Sequence, residues 1–246
     1  MKAILLSAGQ GKRLLPLTER VPKCMLAIHG RSVLEWQIRE LAKCGIDDVT
    51  VLVGFGAEHV EQFLTTQSII PKMRTLYNPF FGIADNLVTC WVARAVMDED
   101  FLLINGDTVF EAQVLGCVLN ASAHPVMMVT DQKPTYDADD MKLIVNEEQL
   151  VNVGKNLSLA QANGESIGVL RFQGDGPALF QQAMERSMRT PQALKQWYLS
   201  VIDDMAQAGF VWTCSIRGLQ WAEIDCVEDI EQAEKIVQCL ELVPNR

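Results

Sequence analysis

The chain has 246 residues, of which 49% are hydrophobic and 21% charged, and its formal net charge at pH 7 is −10. These values are typical of a soluble globular protein, and the acidic balance argues against a nucleic-acid partner because phosphate backbones bind basic surfaces. The seven cysteines lack CxxC spacing, which predicts reduced thiols in a cytoplasmic protein, and no apolar run is long enough for a signal peptide or a membrane span.

The first apolar run, Lys2–Leu6, predicts a buried strand that leads directly into a glycine-rich turn. Small residues let a ligand approach the backbone closely, and the N–H groups of such a turn can bind an anion. Although the turn matches neither the Rossmann nor the P-loop fingerprint, three cations follow it, and together they suit a polyphosphate. The nucleotide-binding residues predicted in this stretch are Ser7, Ala8, Gly9, Gly11, Lys12, Arg13 and Lys23.

The next part of the chain alternates between strand and helix patterns. Strands are predicted at Val49–Val53, Met73–Tyr77, Phe101–Ile104 and Val126–Thr130, and helices at Ser32–Cys44 (with Ser32 as N-cap), Ala57–Leu64, Asp85–Met97 and Ala112–Leu119. This alternation predicts a parallel sheet with helices on both faces. Ligands of such sheets bind at the carboxyl ends of the strands, where the glycine-rich turn lies.

From Asp131 to Gly164 the pattern changes to short strands separated by polar turns, Lys142–Val145 and Leu150–Val153. We interpret residues 131–164 as an antiparallel excursion or flap over the open end of the sheet. The α/β pattern then returns with strands at Ser166–Phe172, Val211–Ser215 and Trp221–Ile224 and helices at Pro177–Met188, Trp197–Ala208 and Val227–Leu240. The prediction is one doubly wound, Rossmann-like α/β domain over residues 1–246, with a mixed, mostly parallel sheet.

Two carboxylates, Asp107 and Asp225, follow predicted strands directly. Mg²⁺ prefers oxygen ligands and usually binds through one or two carboxylates together with substrate phosphates. Taken singly, each residue has an equally good interpretation as a turn or helix-cap residue. Taken with the glycine-rich turn, the pair predicts a metal site.

Several sequence strings occur in the order found in the sugar-phosphate nucleotidyltransferases: LSAGQGKRLLPLTERVPKCML, YNPFFGIADNLVTCWVA, LLINGDTVF, DDMKL, NGESIG and WAEIDCVEDIEQA. The chain resembles this superfamily over nearly its whole length. The strings NPFFGIADNLVTCW and DDMK resemble those of the choline-phosphate and 2-aminoethylphosphonate cytidylyltransferase-like branch. The GTAG-like loop of sugar-specific members is not found.

The resemblance implies that a phosphate or phosphonate oxygen of a small acceptor attacks the α-phosphorus of CTP and that pyrophosphate leaves. It implies Mg²⁺ as cofactor, held by Asp107 and Asp225. Arg13 would contact the β- and γ-phosphates, and Lys23 would contact the α-phosphate or the acceptor phosphate. These four residues are the predicted catalytic set.

The resemblance also gives candidates for binding the base and the acceptor. Asp85 and Asn86 would read the base or the acceptor, with a helix N-cap as the alternative for Asp85. The acceptor-binding candidates are Asp85, Lys142, Glu165, Trp197 and Tyr198. A carboxylate and one or two aromatic rings would hold a substituted ammonium group, since cations bind aromatic faces.

Two other functions stay open at this point. One is a sugar-1-phosphate nucleotidyltransferase that uses UTP, GTP or dTTP, and the other is an inactive nucleotide-binding regulatory subunit. Arg13, Lys23, Asp107 and Asp225 together argue against the inactive subunit. CTP and a small acceptor are the expected partners, no nucleic acid or membrane is expected, and the acceptor and any homo-oligomer are left open.

Overall fold

The computed structural model describes residues 1–242. The chain divides into two compact units. The first unit contains Met1–Gly82, Ile104–Gly116 and the described chain from Leu219 onward, and the second contains Ile83–Leu103 and Cys117–Gly218. The organisation of the chain as a single domain therefore stays a prediction.

The predicted strands are all present, with ends that shift by a few residues, and β2, β3 and β7 are additions that the sequence analysis missed. In chain order the strands are β1 (Lys2–Ser7), β2 (Ala27–Ile28), β3 (Arg31–Ser32), β4 (Asp48–Val53), β5 (Lys72–Tyr77), β6 (Phe101–Asn105), β7 (Thr108–Phe110), β8 (Val126–Asp131), β9 (Lys142–Asn146), β10 (Gln149–Gly154), β11 (Gly164–Phe172), β12 (Val211–Ser215) and β13 (Trp221–Glu223).

The predicted helices are also present. They are α1 (Val33–Lys43), α2 (Ala57–Thr66), α3 (Asn86–Ala93), α4 (Ala112–Asn120), α5 (Gly176–Met188), α6 (Tyr198–Gln207) and α7 (Val227–Leu242). Helix α3 is shorter than predicted because a 3-10 turn, Arg94–Val96, replaces its last turn. No helix in residues 1–242 has the length and apolar character needed to cross a membrane.

In the first unit, β1, β4 and β5 form the predicted parallel sheet, with Leu5 opposite Val51 and Val51 opposite Thr75. Helix α1 begins as the sequence predicts, because the Ser32 hydroxyl accepts a hydrogen bond from the Glu35 N–H at 3.1 Å. The apolar residues at helical spacing on α1 are fully buried: Leu34, Ile38 and Leu41. The α/β class is therefore confirmed in this unit.

In the second unit the sheet is mixed. Strand β12 pairs in parallel with β8, whereas β11 pairs antiparallel with β8 and β10 pairs antiparallel with β12. Strand β9 is antiparallel to both β10 and β11. The predicted antiparallel pair is thus present, and its backbone hydrogen bonds make β9 and β10 members of the sheet where the sequence analysis expected a flap.

The cysteines at positions 24, 44, 90, 117, 214, 226 and 239 are all free thiols. Cys24 and Cys90 are buried, and burial raises the pKa of Cys24 to about 12. The structure thus shows no disulfide among these seven cysteines, and their reduced state in the cell stays a prediction.

Arg171 on β11 is a buried cation of the second unit, with only 1% of its surface exposed. Its guanidinium donates to the carbonyl oxygens that end α4 and begin the following turn, those of Val118, Leu119, Ala121 and Ser122. The last carbonyls of a helix have no partner within the helix. Arg171 therefore acts as the C-terminal cap of α4 from a neighbouring strand.

Replacement of Arg171 by Met would keep most of the side-chain volume but remove the guanidinium donor from these carbonyls, of which that of Ser122 keeps another donor, the N–H of His124. We expect the free energy of unfolding in urea to fall by about 3 kcal/mol, since each buried acceptor that loses its partner costs roughly 1–3 kcal/mol. Arg189→Met is the control, because 77% of the Arg189 side chain is exposed and its ion pair with Glu185 contributes little. An equal effect of the two substitutions would contradict the capping role.

Candidate active site

The glycine-rich turn after β1 is shaped by Gly11, whose φ of 76° lies in the left-handed region. A Cβ atom at this position would lie 3.0 Å from the Cβ of Lys23. The turn is closed by the Thr18 hydroxyl, which donates to the Gly11 carbonyl at 2.8 Å. Glycine at position 11 therefore lets the turn pack directly against the stem of Lys23.

Asp107 lies in the tight turn between β6 and β7. The preceding Gly106 donates its N–H to the carbonyl of Leu6 at 3.1 Å. A Cβ atom on Gly106 would lie 2.4 Å from Ser7 Oγ and 2.6 Å from the Leu6 carbonyl oxygen, so a larger residue does not fit. The close approach places Asp107 beside the end of β1.

Strand β13, which ends two residues before Asp225, positions Asp225 close to Asp107. This strand pairs antiparallel with β7, with Glu223 opposite Thr108, and the Ile224 N–H donates to the Asp107 carbonyl at 3.0 Å. Val109 and Ile224 are buried in one apolar cluster, which includes Ala233 and Val237 of α7. Ile224 is buried in this cluster, whereas side-chain oxygens of its neighbours Glu223 and Asp225 both lie within 4.8 Å of one of Asp107.

Lys23 connects the two carboxylates. Its Nζ lies 2.7 Å from Asp107 Oδ2 and 2.7 Å from Asp225 Oδ1. The guanidinium of Arg13 lies 2.8 Å from the second oxygen of Asp225, Oδ2. The four residues predicted as the catalytic set are thus joined in one ion-pair network of the first unit.

The network shifts the pKa of its members. Burial lowers the pKa of Lys23, but attraction to Asp107 and Asp225 outweighs it, so the pKa of Lys23 lies above its ordinary value. Burial raises the pKa of Asp225, but the ion pairs with Lys23 and Arg13 bring it below its ordinary value. Both groups are therefore held in their charged forms.

A third carboxylate, that of Glu223, lies close to those of Asp107 and Asp225. Among the described residues, oxygens of Asp107, Glu223 and Asp225 lie within 4.8 Å of one another. Asp107 Oδ1 is buried and has no hydrogen-bond partner within the described chain, which leaves an acceptor available to a further ligand. The sequence analysis missed Glu223, although it lies in the predicted strand Trp221–Ile224, two residues before Asp225, a spacing that favours a shared face.

The other nucleotide-binding candidates of the first unit lie in or beside the turn. Ser7 and Ala8 are buried, whereas Gly9 and Lys12 are exposed. The Ala8 carbonyl accepts from the N–H of Phe55, which ties the turn to the end of β4. The roles of these four residues in binding a nucleotide stay predictions.

The remaining candidates lie in the second unit. Asp85 occupies the N-cap position of α3, but its carboxylate does not cap the helix. Asn86 accepts a hydrogen bond from the Tyr198 N–H at 2.9 Å. Tyr198 is fully buried, whereas Trp197 is 40% exposed and has the ammonium of Lys155 4.7 Å from the centre of its ring.

Lys142 and Glu165 are both buried and have partners within the protein. The Lys142 ammonium donates to the carbonyls of Asp137, Ala138 and Asp140. Glu165 lies 3.0 Å from the ammonium of Lys133. The structure thus gives Lys142 a part in holding the turn before β9, and the proposed contacts of the second-unit residues with an acceptor stay predictions.

The chain is similar to several known proteins. A family model described as Nucleotidyl transferase matches residues 2–146. The CMP-5'-(3-aminopropyl)phosphonate synthase of Streptomyces rubellomurinus is 27% identical over 244 residues, which cover 95% of this chain and 38% of that protein. The choline-phosphate cytidylyltransferase of Streptococcus pneumoniae is 21% identical over 243 residues, which cover 97% of this chain and 99% of that protein.

The fold is also found among solved structures. The inositol-1-phosphate CTP transferase from T. maritima has a TM-score of 0.81 and 20% identity, covering 96% of this chain and 95% of that chain. Proteins named for sugar-1-phosphate substrates are among the matches as well. The chain thus spans nearly the whole of some relatives and less than half of the Streptomyces synthase.

The lowered pKa of Asp225 makes its contribution to stability dependent on pH. The charged form stabilises the folded chain above the ordinary carboxyl pKa of 3.8, and this contribution is lost as the pH falls through the lower pKa of the folded state. The difference in free energy of unfolding between wild type and Asp225→Asn should therefore shrink below pH 3.8. Urea unfolding in EDTA from pH 7 downward tests this, and a difference that does not change with pH would contradict it.

Proposed function

The chain belongs to the nucleotidyl transferase family, and on this premise we propose that it transfers CMP from CTP to a small phosphorylated or phosphonate acceptor. The observation that carries the proposal is the bridge of Lys23 between Asp107 and Asp225, with Arg13 on the outer oxygen of Asp225. It supplies two cations and two carboxylates beside a turn whose backbone suits phosphate. The relatives named for cytidylyl transfer support CTP as the donor.

In the proposed reaction, an acceptor phosphate or phosphonate oxygen forms a bond to the α-phosphorus of CTP. The bond from that phosphorus to the bridging oxygen of the β-phosphate breaks, and pyrophosphate leaves with the electron pair. Such transfer depends on positioning and charge neutralisation more than on covalent participation of the protein. Arg13 would neutralise the leaving pyrophosphate, and Lys23 would hold the α-phosphate or the acceptor phosphate in line.

The residues present fit a divalent ion. Three carboxylates gathered within 4.8 Å and a buried, unpartnered Asp107 oxygen form an oxygen-rich donor set of the kind that Mg²⁺ prefers. Asp107, Asp225 and the additional Glu223 would hold it. When bound, Mg²⁺ would stabilise the charge that develops on the phosphate oxygens.

We propose a cationic acceptor, because two relatives are named for acceptors that carry an amino or ammonium group. The exposed ring of Trp197 already accepts the ammonium of Lys155, so its face suits a cation. Tyr198 has no exposed surface and the Lys142 ammonium is bound to backbone carbonyls. We therefore assign the ammonium contact to Trp197 with Asp85 or Glu165, and a supporting role to Tyr198 and Lys142.

A screen of pyrophosphate release tests the function and its alternatives together. CTP, UTP, GTP and dTTP are each combined with phosphocholine, 2-aminoethylphosphonate, inositol phosphate and glucose 1-phosphate. We expect kcat/KM to be at least about tenfold higher for CTP with one of the two amino-bearing acceptors, the difference a desolvated cation–π contact gives. Asp107→Asn should remove most turnover, whereas Glu231→Gln, an exposed carboxylate on α7, should not.

Each other result has a defined meaning. A sugar phosphate or polyol as the best acceptor would refute the ammonium contact and leave nucleotidyl transfer standing. Highest activity with UTP, GTP or dTTP and glucose 1-phosphate would favour the sugar-1-phosphate enzyme. Absence of pyrophosphate release from every combination would favour the inactive regulatory subunit.

Lys23 provides a separate prediction, because its ammonium occupies the carboxylates that would hold the metal. Lys23→Met should lower kcat by about 100-fold or more, as expected for a group that acts on charge in the transition state. Without nucleotide, the same variant should bind Mn²⁺ more tightly than wild type, because Asp107 and Asp225 lose their resident cation. Electron paramagnetic resonance of Mn²⁺ measures this, with the exposed Lys235→Met as control.

Unchanged kcat in Lys23→Met would remove Lys23 from the catalytic residues. Unchanged or weaker Mn²⁺ binding would show that the ammonium does not compete with the metal.

A further inference from the structure

Helix α1 carries two buried polar side chains one turn apart, Gln37 and Glu40, each only 1% exposed. Both face the segment that contains Asp107. Gln37 Nε2 donates to the carbonyl oxygen of Asn105 at 2.7 Å and to that of Thr108 at 2.8 Å. Glu40 accepts from the N–H of Ala112 at 2.9 Å, at the start of α4.

The two acceptors of Gln37 are the carbonyls on either side of Gly106 and Asp107. A side-chain amide has two N–H donors on one nitrogen, and here each donor bonds to one end of the turn. The same turn is tied to β1 through Gly106 and to β13 through the Asp107 carbonyl. Gln37, on helix α1, therefore fixes the distance between the two ends of the turn.

Burial among apolar residues does not explain why position 37 is a glutamine. Gln37 Oε1 is buried and has no hydrogen-bond partner within the described residues, and an unpaired buried acceptor carries a desolvation cost. Its neighbours Leu34, Ile38 and Leu41 are fully buried apolar residues. What the amide supplies at this position is the pair of donors for the turn.

We propose that Gln37 is a positioning residue for the metal-binding and catalytic function of Asp107. Its side chain is only 1% exposed, and it acts by holding the turn so that the Asp107 carboxylate faces Asp225 and Glu223. The inference rests on the proposed function, because it assumes that Asp107 binds the metal of a nucleotidyl transferase. Partners that orient metal ligands typically change metal affinity or activity by about 10- to 100-fold when removed.

The direct test compares Gln37→Met with wild type. Met has similar length and no donor, so both hydrogen bonds to the turn are lost. We expect Mn²⁺ affinity in the presence of CTP, without acceptor, to fall about tenfold. In the turnover assay kcat should fall by at least about tenfold and the Mg²⁺ concentration for half-maximal rate should rise, while KM for CTP changes less than threefold.

Glu40→Leu is the matched control on the same helix. It removes an equally buried polar contact to the same segment, five positions beyond Asp107, so it should lower the melting temperature without changing Mn²⁺ affinity. Gln37→Asn keeps an amide that is too short to reach both carbonyls, and it should give an intermediate Mn²⁺ affinity. If Gln37→Met does not fold, Gln37→Asn takes its place in the test.

A loss of stability with unchanged Mn²⁺ affinity in both Gln37 variants would overturn the proposal, and so would an equal loss of Mn²⁺ affinity in Glu40→Leu. The binding measurement needs no turnover. Failure of wild type to release pyrophosphate with any nucleotide would therefore count against the proposed function, whereas wild-type turnover with unaltered metal dependence in Gln37→Met would count against the role of Gln37 alone.

Discussion

The ammonium of Lys23 between the carboxylates of Asp107 and Asp225 is the interaction on which the first unit depends. Two half-buried carboxylates close together repel each other, and a cation between them removes that penalty. The three residues come from segments distant in sequence, so the contact joins three separate parts of the first unit. The left-handed Gly11, the close approach of Gly106 and the β7–β13 pairing all serve to bring these segments together.

Much of this arrangement could be predicted from local rules. A buried apolar run followed by a polar turn predicts a strand end, and this rule found the turn after β1 as well as Asp107 and Asp225. The Ser32 cap and the apolar spacing of α1 could also be predicted, because both depend on residues that are close together in the sequence. Grouping Lys23 with both carboxylates in one catalytic set, by contrast, depends on resemblance to a family, and the ion pairs between them were not predicted, since no local pattern fixes contacts between such distant residues.

The features that were missed depend on long-range pairing. Gln37 looks like an ordinary polar position on an amphipathic helix until the β6–β7 turn is placed beside it. Lys142 looks like a solvent-facing cation on a short strand, but its burial follows from the pairing of β9 with β11 and from three carbonyls of the preceding turn. Glu223 was the exception, because strand alternation alone places it on the face of Asp225.

In the proposed chemistry, the same two cations neutralise two different kinds of anionic group. In the structure, Lys23 and Arg13 neutralise the carboxylates, whereas in the proposed reaction they neutralise phosphate. Lys23 does not need to be desolvated a second time, because folding has already buried its side chain to 13% exposure and fixed its geometry, whereas Arg13 stays 54% exposed. In the proposed reaction the exchange of one anionic partner for another would be a movement of side chains, because hydrogen bonds of Gln37, Gly106 and Ile224 hold the backbone of the Asp107 turn.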